Sequence, residues 1–251
     1  MIAAIAYAIP AAFASHLPER TARAVLWLAW ALHGAMLALG MLQGTPRFGF
    51  APALSVTAWL VLTVYAIERQ LFPQLRARWA LAALGALAVL LALVFPGQPL
   101  PDSASAWMPL HLALGIAAYG LFAAAVVHAA LMTRAEKRLR LAVDANSGMP
   151  LLTLERLTFR FVTAGFVLLS ATLVAGVLFS EVLYGRAWRW DHKAVFSVLS
   201  WLTFAALLLG RRRFGWRGRS AVRVLYAGSV LLLLAYVGSR FALEVVLGRA
   251  P

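Results

Sequence analysis

Nearly the whole chain reads as apolar segments of membrane-spanning length, with basic residues gathered in alternate gaps between them. That pattern defines the solvent before any motif is considered. Of the 251 residues, 63% are hydrophobic, and the mean hydropathy is +0.83. A typical soluble domain is only about 45–50% apolar. A bilayer core calls for about 20 mainly apolar residues per helix. Eight segments qualify as candidates: 1–17, 22–43, 51–71, 78–95, 107–132, 158–181, 193–210 and 221–247. The expected fold is all-α, a polytopic membrane protein of about eight transmembrane helices that forms a single integral membrane domain over residues 1–251.

The gaps set the orientation. One set holds Arg20 and Arg23, then Arg69, Arg76 and Arg78, then Arg134, Lys137, Arg138, Arg140, Arg156 and Arg160. Its last members are Arg211, Arg212, Arg213, Arg217, Arg219 and Arg223, bringing it to 17 of the 23 Lys and Arg residues. The other set holds only Arg47, Arg186, Arg189, Lys193, Arg240 and Arg249. Basic residues are retained on the cytoplasmic side, so both termini are expected outside, in a bacterial inner membrane. The net charge of +14 is explained by this distribution and by anionic inner-leaflet lipid, and no nucleic-acid module accompanies it. The small-residue run Ala12-Phe13-Ala14 resembles a signal-peptide cleavage site, but nothing basic precedes Pro10. A signal peptide carries positive charge ahead of its apolar core, so the first segment is expected to be a retained helix, distorted at Pro10.

The absence of cysteine excludes disulfides, thiolate ligation and thiol redox chemistry within the chain. The charged run Arg134–Arg140 is expected to extend the fifth helix into the cytoplasm, followed by a loop through Asp144 and Pro150. Gly215-Trp216-Arg217-Gly218-Arg219 reads as a tight basic turn. No internal repeat is evident, which speaks against an inverted-repeat transporter. No Ser/His/Asp arrangement, phosphate loop or paired carboxylates suggest an enzyme.

Polar groups at membrane depth are costly, and each calls for an explanation. His16 falls at the inner end of the first segment and His33 near the middle of the second. His33 is either hydrogen-bonded and neutral, or a ligand or proton carrier. His111 opens the fifth helix, and His128 lies 17 residues further on. That separation is about 25 Å at 1.5 Å per residue, so the two cannot share one iron. The most unusual stretch is Tyr184-Gly185-Arg186-Ala187-Trp188-Arg189-Trp190-Asp191-His192-Lys193, which puts three cations on the outer face against the charge rule. An interfacial aromatic belt accounts for Trp188 and Trp190, but not for the attached aspartate and the cationic cluster. A flat, apolar, dianionic ligand accounts for both. Indoles offer stacking surfaces, Arg and Lys pair with carboxylates, and a neutral imidazole ligates iron. Haem has that chemistry.

The run Gly185-x-x-Trp188-x-Trp190-Asp191-x-Lys193, with Ser197 and Trp201 in the next helix, resembles the tryptophan-rich haem-handling motif of the cytochrome c assembly membrane proteins. His111-Leu112 with Tyr119 is similar to the segment carrying one of that family's external haem-ligand histidines. Length and helix number resemble the smaller, HemX-like branch. The resemblance implies haem at the outer face, with His111 on the iron and Trp188 and Trp190 cradling the ring. It further implies that Asp191 orients the loop and that Arg186, Arg189 or Lys193 neutralises propionates. The chain departs from the larger synthases in its shorter tryptophan loop. It also lacks a second external histidine late in the chain, where Arg240 and Glu244 stand instead. His192 follows the motif aspartate, where many relatives have proline. Three alternatives follow: His192 is a second metal ligand, His111 binds iron alone, or no haem is bound. The branch also implies an alternative role as a regulator of tetrapyrrole synthesis or of a partner protein, contacted through the 134–157 loop. Membrane lipid is the remaining expected partner.

Overall fold

The computed structural model describes residues 2–13, 18–42, 47–71, 78–99, 107–141, 150–184 and 189–247. His16, Arg186 and Trp188 lie outside them. The chain divides into two compact units, Met1–Asp102 with Leu247–Pro251, and Ser103–Val246.

The first unit contains α1 (Ile2–Ala12), α2 (Glu19–Leu42), α3 (Phe50–Leu71) and α4 (Arg78–Val94). The helices form a ring in which α1 packs on α2 and α4, while α3 packs on α4 and less closely on α2. Short connections between packed neighbours make successive helices antiparallel. A two-residue ladder, β1 (Arg47–Phe48) with β2 (Gln98–Pro99), ties the α2–α3 link to the chain after α4. Gly97 makes that closure possible. Its φ is +77°, and a Cβ there would come within 2.7 Å of the Phe48 carbonyl oxygen, so only glycine meets both demands.

The second unit contains α5 (Met108–Arg140), α6 (Leu151–Leu178), the short α7 (Ser180–Tyr184), α8 (His192–Phe214) and α9 (Gly218–Leu233). Again four long helices close a ring, α5 on α6, α6 on α8, α8 on α9 and α9 on α5. Its centre is a stacked pair, Phe122 and Phe204, with ring centroids 3.8 Å apart and planes at 8°. Glycines make room for them: a Cβ at Gly165 would sit 3.2 Å from the Phe122 ring, and one at Gly228 would sit 2.8 Å from Phe204.

Burial runs opposite to that of a water-soluble bundle. Many of the buried residues are alanines, whereas Val167, Val174, Leu202, Leu209 and Val230 face outward. Lipid tails are as apolar as leucine, so helices in a bilayer associate through close packing of small residues instead. Among the described residues, six helical stretches are long and apolar enough to cross a membrane: Arg20–Gly40, Phe50–Gln70, Leu110–Arg140, Leu151–Leu178, His192–Phe214 and Gly218–Val246. All eight segments expected from hydropathy carry a helix; α4, with 17 residues, and α1, with 11, are shorter than those six. The run Arg134–Arg140 does continue α5, and the basic turn after α8 is built on left-handed Gly215 and Gly218.

The last helix changes pitch near its end. Beyond α9 come π turns at Leu234–Gly238 and Ala242–Val246, separated by α10 (Ser239–Phe241). The cause of the first lies on α5. The Tyr119 hydroxyl donates to the Leu232 carbonyl and accepts from the Tyr236 backbone amide. These two groups would otherwise bond each other as i and i−4. A side chain inserted into the ladder lengthens the loop, which is how π bulges arise.

Candidate functional site

In the second unit, basic residues mark one end of the bundle. There Arg211 bonds Glu155 at 2.8 Å and lies 3.5 Å over the Phe159 ring. Arg217 approaches Glu155 at 3.8 Å, while Arg140 and Arg219 approach Glu136 at 2.6 and 3.9 Å. These pairs tie α5, α6, α8 and α9 together at that end. Of the 134–157 loop, residues 142–149 lie outside the described residues.

The opposite end carries His111, Arg189, Trp190, Asp191, His192 and Lys193. It is formed by the start of α5, the end of α6 with α7, the start of α8 and the close of the last helix. His111 lies in the first turn of α5, half-buried, and its amide donates to the Trp107 carbonyl at 3.1 Å. Trp107, the residue before α5, is 64% exposed. This tryptophan was not singled out from sequence, although its position four residues before His111 was available as a signal.

At the α8 start, Asp191 is the N-cap. Its backbone is extended (φ −84°, ψ 171°), and its carboxylate accepts the Ala194 amide at 2.9 Å. The motif aspartate therefore fixes where the helix begins, a role worth about 1 kcal/mol of helix stability. Trp190, next to it, is 70% exposed. Arg189 and His192 are exposed and Lys193 is half-buried. No acidic residue occupies the first turn of α8. Cations at the positive end of a helix dipole work against the helix, and Arg189 and Lys193 both stand at that end of α8.

Of the motif's later members, Ser197 and Trp201, the tryptophan has structural partners, as does the neighbouring Ser200 outside the motif. The Trp201 indole donates to Ser170 Oγ on α6 at 2.8 Å and stacks on Phe166. Buried Ser200 donates to the Gly228 carbonyl at 2.9 Å. Near the chain's end, Arg240 and Glu244 pair at 4.0 Å, with Tyr236 beneath the guanidinium. The structure brings His111 and the α8 start to one end of the bundle. Among the described residues, no group of three or more His, Cys, Asp or Glu could hold a metal ion.

The remaining described histidines are elsewhere. His128 is 3% exposed, donates from Nδ1 to the Ala124 carbonyl oxygen (2.8 Å) and lies against Phe161. Only donation fits a carbonyl acceptor, so Nδ1 carries the proton. His33, in the first unit, is fully buried between two hydroxyls: Nε2 is 2.8 Å from Ser55 Oγ and Nδ1 is 3.4 Å from the Tyr7 hydroxyl. Both have the hydrogen-bonded surroundings of structural histidines.

These features define a multi-pass helical membrane protein whose second bundle carries aromatic and cationic residues at one end. The cytochrome c assembly protein family model matches residues 19–247, and the chain belongs to that family. It is 28% identical over 166 residues to the cytochrome c biogenesis protein CcsA of Prochlorococcus marinus (strain MIT 9303), covering 55% of this chain and 52% of that one. It is 33% identical over 141 residues to the inner membrane protein YpjD of Escherichia coli (strain K12), covering 55% and 53%. The chain thus spans about half the length of the curated relatives it matches. No solved structure matches it.

Proposed function

We propose that this protein handles haem during cytochrome c assembly in the bacterial inner membrane, at the end of the second unit away from its basic cluster. The observation that carries the reading is the α8 start. An exposed indole, Trp190, directly precedes the Asp191 cap and neighbours Arg189 and Lys193, at the bundle end where His111 opens α5. Family membership over residues 19–247 supports it.

The donor set suits the group. Haem supplies an iron that takes imidazole nitrogen and two carboxylates that take cations. His111 offers the imidazole from a rigid first turn. Trp190, with Trp188 next along the motif, offers a stacking face. Arg189, Lys193 and Arg186 pair with the carboxylates. Asp191 acts through the backbone, setting the direction of the loop. His192, exposed on the same turn, is the second imidazole within reach of the motif and stands as the second iron ligand.

The test is an absorption spectrum of detergent-purified protein from haem-replete cells, oxidised and reduced. A Soret band is expected. Its absence, even after addition of hemin, overturns the reading and favours a regulatory role without haem.

A further inference from the structure

The first unit holds a cavity of about 270 Å3. Its wall includes Tyr7 of α1, Arg23, Trp27 and Trp30 of α2, and Ala66 and Arg69 of α3, and none of its described lining residues is acidic. The volume is near the lower bound of about 300 Å3 for small-molecule sites.

The wall is built rather than incidental. Trp30 and Trp59 stack at 5.3 Å with planes at 12°, and Trp27 meets Trp30 edge-on at 5.4 Å. The Trp30 indole donates to Thr63 Oγ1 at 2.8 Å, and the Trp59 indole donates to the Trp30 carbonyl at 3.0 Å. These bonds lock α2 to α3 along the aromatic face. The Tyr7 ring is held against Gly85, where a Cβ would sit 3.1 Å away, and its hydroxyl faces His33.

The two guanidiniums come from the first turns of α2 and the last turn of α3, so antiparallel packing brings them to the same end of the bundle. An interfacial arginine ordinarily reaches outward into the headgroup layer. Here two arginines border one cavity whose remaining lining is mostly indole, leucine and tyrosine, with Ala66 and Gln70. Guanidinium forks suit phosphate oxygens, and the indole and leucine walls suit an acyl chain. The flank beside it is apolar, with Trp27 and Leu28 exposed, so an occupant anchored in lipid has access. The charge pattern puts this end in the cytoplasmic leaflet, where acidic lipid is concentrated.

We propose that this cavity is a binding site for an acidic phospholipid, with its phosphate between Arg23 and Arg69 and the start of an acyl chain against Trp27 and Trp30. The site is separate from the haem reading and stands without it.

The test is native mass spectrometry of the full chain released from nanodiscs of mixed phosphatidylglycerol and phosphatidylcholine. The wild type is expected to retain phosphatidylglycerol in preference to phosphatidylcholine. The double variant Arg23→Gln/Arg69→Gln should lower that retention by about tenfold or more, since each charged hydrogen bond contributes about 1.5–3 kcal/mol. Ala66→Trp, which fills the cavity and keeps both charges, should do the same; Ala66→Leu replaces it if the larger ring disturbs folding, judged by thermal melting. Unchanged retention in the double variant overturns the site. So does loss on charge removal without loss on filling, because that marks surface attraction alone. Displacement of the lipid by millimolar inorganic phosphate assigns the arginines to a soluble anion and overturns the lipid.

Discussion

The two units are both rings of four helices, yet they place their polar groups differently. The first carries its polarity inside: His33, Tyr7 and Ser55 form a buried chain, and an arginine-edged cavity opens beside it. The second is apolar at its centre, where Phe122 and Phe204 stack between glycines, and the void lined by Met132, Phe159 and Leu207 is about 10 Å3. Such a space holds at most one water. The second unit buries His128 and Ser200 as well, but its ion pairs and exposed cations sit at its two ends, salt-bridged at one and aromatic and cationic at the other. A buried polar group must be satisfied where it stands, whereas one at a bundle end is available to a ligand. That difference separates His33 from His111.

The sharpest break in the comparison comes from emptying the apolar centre. Phe204→Ala removes a fully buried ring and should destabilise the second unit by roughly 3–5 kcal/mol, read as a large fall in the detergent melting temperature. A small shift would mean that the stack is not what holds the bundle. Next is His33→Ala, which leaves the Ser55 and Tyr7 hydroxyls without their imidazole. The cost should be about 1–3 kcal/mol, with haem absorbance unchanged. Loss of haem in that variant would move the cofactor into the first unit. The smallest effect belongs to Asp191. Asp191→Ala should cost about 1 kcal/mol, and Asp191→Asn much less, because asparagine caps about as well. If Asn and Ala reduce haem retention equally, charge rather than capping is what Asp191 supplies.

Much of this organisation was legible in the sequence because hydropathy and charge act over whole segments. All eight apolar stretches carry helices, and the α5 extension and the basic glycine turn fall where the residues put them. The α8 start was legible as a motif but not as a cap, since Asp191 reads equally as ligand, loop anchor or N-cap until the Ala194 amide is placed. Tyr119 was legible only through its resemblance to the family pattern. Its insertion into the ladder at Leu232 joins residues 113 positions apart, and no local pattern marks such a contact. The cavity in the first unit escaped for the same reason. No local pattern marks Trp30 and Trp59, which only the packing of α2 on α3 stacks.

The most direct measurement compares the haem spectra of the wild type and His111→Ala, the variant taken with and without added imidazole. The account predicts that the variant's Soret band weakens or shifts and that imidazole restores it by occupying the vacated iron position. An unchanged spectrum in His111→Ala contradicts the assignment of His111 and, with it, the site at the end of the second unit.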